Sequence, residues 1–240
     1  MTFEDFDFSQ EILDGIRSAG FENCMPVQEE VFRYAMEEGR DVTVQSRTGT
    51  GKTAAFLLTV FQNFARDGGK HKALIIAPTR ELAVQIEQEA ELLGGRLPVK
   101  IASFYGGVGY KSQERDIKEG VDIIIGTPGR LLDFAQSKKG FLSEVDMLVI
   151  DEADRLFDMG FLPDLKKILR KLSGPKERQT MLFSATLGLK VQQLAWEFLY
   201  EPEEIVIDND SVTVDEITQV LYHVASNEKI NLLLGVLQRE

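Results

Sequence analysis

The sequence predicts an α/β fold, a mostly parallel β-sheet with helices on both faces. Three observations predict it. Short β-branched or apolar runs recur along the chain. Most are apolar at every position rather than at alternate ones, as strands covered on both faces require. Amphipathic segments lie between them, the alternation that βαβ crossovers produce.

In chain order, strands are predicted at residues 42–45, 73–77, 99–104, 122–125, 147–150, 180–183 and 204–207. Residues 52–64, 80–93, 165–172 and 191–200 read as helices between them. Polar residues follow five of the runs, at 45–53, 78–80, 127–130, 151–154 and 184–186. Ligands of parallel sheets sit at the carboxyl ends of the strands, so these five ends are expected to face one cleft. Polarity rises at 208–211, where a linker is predicted, and beyond it 217–224 reads as a strand and 227–238 as a helix. One strand and one helix cannot bury a core. The last residues are therefore read as the opening of a second domain or an appendage on the first.

Composition narrows the classes. With 240 residues, 43% apolar and 28% charged, the chain can bury a sizeable core. It contains no apolar run of membrane-spanning length, and its acidic start at Met1 does not resemble a secretory signal. Cys24 is the single cysteine, and only His71 and His223 could join it as soft ligands, so neither an internal disulfide nor a zinc site is expected. The expected location is the cytoplasm. The formal net charge of −12 weighs against nucleic-acid binding by the chain as a whole and leaves room for a local basic track.

Residues 46–53, Ser46-Arg47-Thr48-Gly49-Thr50-Gly51-Lys52-Thr53, follow a strand and open a helix. Gly49 and Gly51 let backbone N–H groups approach phosphate oxygens, and the helix N-terminus adds positive dipole. Lys52 can reach the β- and γ-phosphates, and the Thr53 hydroxyl can ligate Mg²⁺. Ser46 stands where the usual pattern has its first glycine. A glycine-rich turn capping a helix would explain the glycines, but not a Lys-Thr pair at this spacing.

Asp151-Glu152-Ala153-Asp154 follows the apolar run 147–150. A carboxylate at such a strand end can hold Mg²⁺, usually through water, and its neighbour can orient and deprotonate an attacking water. Asp151 is assigned to the metal and Glu152 to the water. Alone, the string would read as an acidic helix N-terminus favoured by the dipole. Paired with the phosphate loop, it reads as the second half of a nucleotide site.

With these residues in view, the chain resembles the DEAD-box RNA helicases, named for the tetrapeptide at 151–154. Residues 46–53 resemble the family's motif I, 78–83 (Pro78-Thr79-Arg80-Glu81-Leu82-Ala83) motif Ia, and Gly106-Gly107 its GG pair. Thr127-Pro128-Gly129-Arg130 resembles motif Ib, and Ser184-Ala185-Thr186 motif III. Phe3, Gly20-Phe21 and Pro26-Val27-Gln28 resemble the Q motif, with Cys24 and Met25 where proline and threonine or serine are usual. The resemblance implies a RecA-like P-loop NTPase domain using ATP and Mg²⁺. It divides the chain into a Q-motif region (1–28), the first helicase domain (29–208), and a linker with the truncated start of a second RecA-like domain (209–240). The little sequence ahead of Phe3 leads to the expectation of a compact bacterial member.

By the resemblance, Gln28 hydrogen-bonds the adenine edge, and a side-chain amide can match adenine's N6 donor and N7 acceptor together. Phe3, beside Phe21, stacks on the adenine face. Pro78, Thr79, Arg80, Gly106, Gly107, Thr127, Gly129 and Arg130 contact RNA. Such contacts go to the backbone and carry no sequence information. Glu81 is expected to orient Arg80. Ser184 and Thr186 couple hydrolysis to strand separation by bonding to the 151–154 segment, Asp154 included. The implied arginines of the second domain are not in these 240 residues. The chain is therefore expected to bind nucleotide, to be nearly inactive alone, and to be monomeric without a membrane; no specific protein partner can be named. The Gln28 region favours adenine over guanine, and an intact Glu152 favours an enzyme over a nucleotide-gated clamp.

Overall fold

Runs that are apolar at every position become the middle layer of a three-layer sandwich. The computed structural model describes residues 1–47, 49–69, 71–138, 140–207, 222–225 and 228–237. The strands are β1 (Val42–Gln45), β2 (Ala73–Ile76), β3 (Ile101–Phe104), β4 (Ile123–Gly126), β5 (Met147–Ile150), β6 (Gln179–Ser184) and β7 (Glu203–Val206). All pairings are parallel, in the order β3-β4-β2-β5-β6-β1-β7. Registers such as Ile75 opposite Val149 and Val44 opposite Phe183 keep like faces together.

The period of two then builds two cores from one sheet. Val44, Ile75, Val149 and Phe183 point to one face. There they meet α1 (Gln10–Ser18), α2 (Pro26–Val31), α3 (Lys52–Arg66) and α4 (Arg80–Gly94). Leu74, Ile76, Leu148, Ile150 and Leu182 point to the other. That face is covered by α6 (Pro128–Ser137), α7 (Ala153–Asp158), α8 (Leu162–Leu169) and α9 (Leu189–Phe198). The polar α5 (Tyr110–Glu119) packs Ile117 against this core and lays Tyr110 on Phe134 at its edge.

The first residues belong to the first core. Phe3, Phe6 and Phe8 are buried with ring centroids 6.2, 5.1 and 5.1 Å from Phe32. Helix α1 lies against α4 so closely that a Cβ on Gly15 would sit 2.1 Å from the Leu93 carbonyl oxygen. Asp41, buried ahead of β1, accepts from the Thr180 and Tyr200 N–H groups at 2.7 and 2.8 Å. It thereby ties the start of β6 to the turn after α9.

Met1–Ile207 forms one compact unit and Asp208–Glu240 a second. In the second, α10 (Lys229–Leu237) falls within the helix expected at 227–238. The linker residues 208–211 lie outside the described residues, as do 217–221 of the strand expected at 217–224. Residues 222–224 are described and are not in a strand.

Candidate nucleotide and nucleic-acid site

The loop after β1 curls around its own side chains. Ser46 continues the sheet by donating its N–H to the Ser184 carbonyl at 3.1 Å, and Thr50 Oγ1 donates to the Arg47 carbonyl at 2.9 Å. Thr50 Oγ1 also lies 3.3 Å from Ser46 Oγ, inside the loop, where a glycine would leave the contact unmade. Lys52 Nζ donates to the Ser46 carbonyl at 3.2 Å, which holds the ammonium over the loop. Gly51 has φ 84°, and a Cβ there would lie 2.6 Å from Gln28 Nε2. Glycine is therefore required twice, by conformation and by space. Arg47 is exposed and lies outside the lining of the cleft described below, and Thr48 lies outside the described residues.

Two strands along, β5 delivers its carboxylates to the same place. Asp151 is 3% exposed, and its Oδ1 accepts from the Glu152 N–H at 2.9 Å. Burial pushes its pKa up to about 6 against the pull of the Lys52 ammonium. Glu152 adopts φ 48°, a left-handed conformation that costs a non-glycine residue on the order of 1–3 kcal/mol. Its Oε2 accepts from Arg155 Nη1 at 3.0 Å. The turn that carries Glu152 starts α7 and places this residue in the lining of the neighbouring cleft.

That cleft has a volume of about 520 Å³, within the range of small-ligand sites. It gathers Gly49, Gly51, Lys52, Thr53, Asp151 and Glu152 with Phe3, Phe21 and Gln28 from the N-terminal segment. Gln28 is 3% exposed; its Oε1 accepts from the Met25 N–H at 2.8 Å and its Nε2 donates to the Gly51 carbonyl at 3.2 Å. The amide thus links the N-terminal segment to the phosphate loop. Phe3 is 3% exposed and lies behind Phe21, with rings 6.3 Å apart at 21°. Phe21 offers the more accessible ring, and Phe3 supports it. Leu82, Gln85 and Glu89 of α4 also line the cleft. Burial, with Asp151 nearby, raises the Glu89 pKa.

Strand β6 lies between β5 and β1, and its end bonds to the acidic turn. Ser184 Oγ accepts from the Asp154 N–H at 3.3 Å and donates to the Thr186 carbonyl at 2.7 Å. Thr186 Oγ1 donates to Asp154 Oδ2 at 3.4 Å. The bonding expected between 184–186 and 151–154 is therefore present.

One cleft shared by five strand ends is a correction the topology imposes. Of the five strand ends, only those of β1 and β5 contribute to the lining of the cleft, whereas β2, β4 and β3 lie together on the other half of the sheet. There Pro78 and Thr79 lead into α4, where Thr79 Oγ1 caps the helix by accepting from the Leu82 N–H at 3.2 Å. Gly106 and Gly107 follow β3, and Thr127, Gly129 and Arg130 form the start of α6. Arg80 lies with its guanidinium carbon 5.0 Å from the Tyr105 ring centroid, beside Gly107, and the expected partner Glu81 makes no bond to it among the described residues. Arg130 donates to Gln113 Oε1 at 2.6 Å. Tyr105, Tyr110, Gln113 and Glu89 escaped the sequence reading. The one available signal was that two of them, Tyr105 and Tyr110, flank the glycine pair.

The sequence profile described as DEAD/DEAH box helicase matches residues 25–194. The chain belongs to this family. ATP-dependent RNA helicase RhlB of Xanthomonas axonopodis pv. citri is 43% identical, over 100% of this chain and 43% of its own length. The protein of the same name from Aliivibrio salmonicida is 41% identical, over 99% of this chain and 56% of its own length. A DEAD box protein from the hyperthermophile Methanococcus jannaschii has a similar structure, with TM-score 0.81 and 33% identity, covering 99% of this chain and 63% of that one. A hypothetical ATP-dependent RNA helicase from Sulfolobus tokodaii gives TM-score 0.75 and 34% identity over 83% of this chain and 57% of its own. The chain thus spans about half the length of these curated relatives. The DEAD/DEAH match starts at Met25, so the aromatic cluster around Phe3 precedes it, while every strand-end segment from 46–53 to 184–186 lies inside it.

Proposed function

We propose that this chain is the N-terminal ATP- and RNA-binding half of an ATP-dependent RNA helicase, which couples ATP binding and hydrolysis to local separation of RNA strands. The observation that carries the reading is the convergence of Gln28, Gly51, Lys52, Thr53, Asp151 and Glu152, from three separate segments, on one cleft. Backbone N–H groups at Gly49 and Gly51 and the α3 N-terminus receive the phosphates, and Lys52 faces the terminal ones. Phe21, backed by Phe3, supplies a ring face for the adenine and Gln28 its edge contact.

The residues fit Mg²⁺. Asp151 Oδ1 is used by Glu152, while Oδ2 and the Thr53 hydroxyl bond to no described residue. Glu22, Glu89, Asp151 and Glu152 outnumber Lys52 along the cleft, so a nucleotide arriving with its own cation is favoured over a bare polyanion. When bound, Mg²⁺ offsets phosphate charge and orients the terminal phosphates. Asp151 and Thr53 would hold it, partly through water. Glu152 accepts the proton of the attacking water. Ser184, Thr186 and Asp154 then transmit the change at the acidic turn to the end of β6.

RNA lies across the ends of β2, β3 and β4, gripped through its backbone by residues 78–80, 106–107 and 127–130. A second RecA-like domain completes the ATP site, and the whole protein works as a cytoplasmic monomer. Two measurements test the reading. The chain should bind a fluorescent ATP analogue with Mg²⁺ and lose it on Lys52→Ala. In the full-length protein, Glu152→Gln should abolish RNA-stimulated ATPase while nucleotide binding persists; equal ATPase rates would sink the enzymatic reading.

A further inference from the structure

The chain holds 39 acidic and 27 basic residues, and eight of its arginines pair with a carboxylate among the described residues. Arg80 and Arg130 make no ion pair among the described residues. Both instead lie on tyrosine rings. Arg80 sits 5.0 Å from the centroid of Tyr105, and Arg130 sits 5.5 Å from Tyr110 and 6.0 Å from Phe134. The two tyrosines bracket the glycine pair, one at each end of the loop that joins β3 to α5.

The support beneath Arg130 is built in depth. Tyr110 stacks on Phe134 with centroids 4.4 Å apart at 21°, and Phe134 is buried in the second core. The Tyr110 hydroxyl bonds Ser137 Oγ at 2.8 Å, one helical turn beyond Phe134. Gln113, 3% exposed, accepts from Arg130 and donates through Nε2 to the Tyr105 carbonyl at 3.3 Å. One amide therefore spans the two arginine–tyrosine pairs. A guanidinium on a ring presents an uncompensated charge and free outward N–H groups, whereas a paired carboxylate offsets that charge and occupies some of the donors.

We infer that Tyr110 is a positioning residue for nucleic-acid binding: with Gln113 and Phe134 it holds Arg130 unneutralised and aimed at a backbone phosphate. The inference rests on the proposed RNA face. Tyr105 does the same for Arg80 across the glycine pair. The ring contributes no base reading. It removes the entropy cost of fixing a long side chain when the phosphate arrives.

The test is fluorescence anisotropy of the 240-residue chain with labelled oligouridine across a salt series. Tyr110→Ala is expected to weaken binding about tenfold and to flatten the log affinity against log salt slope by about 0.7, the share of one single-strand phosphate contact. Tyr110→Phe keeps the ring and should bind like the wild type, with circular dichroism confirming that all variants fold. Arg130→Ala should show the same loss, and the double variant no further loss, because both changes remove one interaction. Wild-type affinity in Tyr110→Ala, or additive losses in the double variant, would overturn the inference while leaving the RNA face intact. An Arg130→Ala variant that binds like the wild type would remove the RNA face itself.

Discussion

At the scale of single residues, Asp151 shows how a site is held at the expense of the fold. Burial raises its pKa from 3.8 to about 6, with Lys52 opposing. A carboxyl whose folded pKa exceeds its unfolded one carries an extra native-state proton between the two. Stability from this group therefore falls as pH rises from about 4 to about 6, by about 3 kcal/mol in all. Asp151→Asn should then melt higher than the wild type near about pH 7 and equally near about pH 4, while Mg²⁺-dependent hydrolysis by the full-length protein disappears. A melting difference independent of pH would show that Asp151 ionises freely in the fold. Asp151 and Lys52 were legible in the sequence because their chemistry is written in short local strings, and Gln28 only through the family resemblance. Glu89, Tyr105 and Tyr110 were not, because what they face is decided by helices and strands far away in the chain.

At the scale of elements, the strands were legible because a strand covered on both faces must be apolar throughout. Each of the seven runs predicted before residue 208 overlaps an observed strand, from β1 to β7, whereas the run expected at 217–224 does not form a strand at its described residues 222–224. The linking helices were less so. Helix α5, Tyr110–Glu119, has ten residues of which only Gln113 is buried, so it carries almost no apolar stripe to read. Helix α1 is legible only once its partner is known, since Gly15 marks the point where its backbone meets Leu93 of α4. Gly15→Ala places a methyl group against a backbone carbonyl that cannot turn aside. We expect it to destabilise the unit by about 1–3 kcal/mol in urea unfolding. A variant as stable as the wild type would mean that α1 slides freely on α4.

At the scale of the whole molecule, the sheet order sorts the ligands. The loops proposed to bind nucleic acid follow β3, β4 and β2, and those proposed to bind nucleotide follow β5 and β1, with β6 between them. The family resemblance implies the same two ligand sets, but their separation onto two halves of the sheet was not legible, because strand order is not written in chain order. On the proposed function a second domain sets the activity, because completing arginines contribute on the order of a thousandfold or more in related phosphoryl transfers. The isolated chain should hydrolyse ATP at less than about a thousandth of the full-length rate and leave a short RNA duplex intact. Robust unwinding by the chain alone would refute that dependence. Helix α4 belongs to both halves, since Arg80 opens it beside Tyr105 while Leu82, Gln85 and Glu89 wall the nucleotide cleft. On the proposed function both ligands contact this one helix, and any coupling between them is reciprocal. Whatever factor RNA adds to the affinity for ATP, ATP must return to the affinity for RNA. A change in α4 that abolishes the coupling should therefore erase both enhancements together, and leave untouched the affinity each ligand shows in the absence of the other.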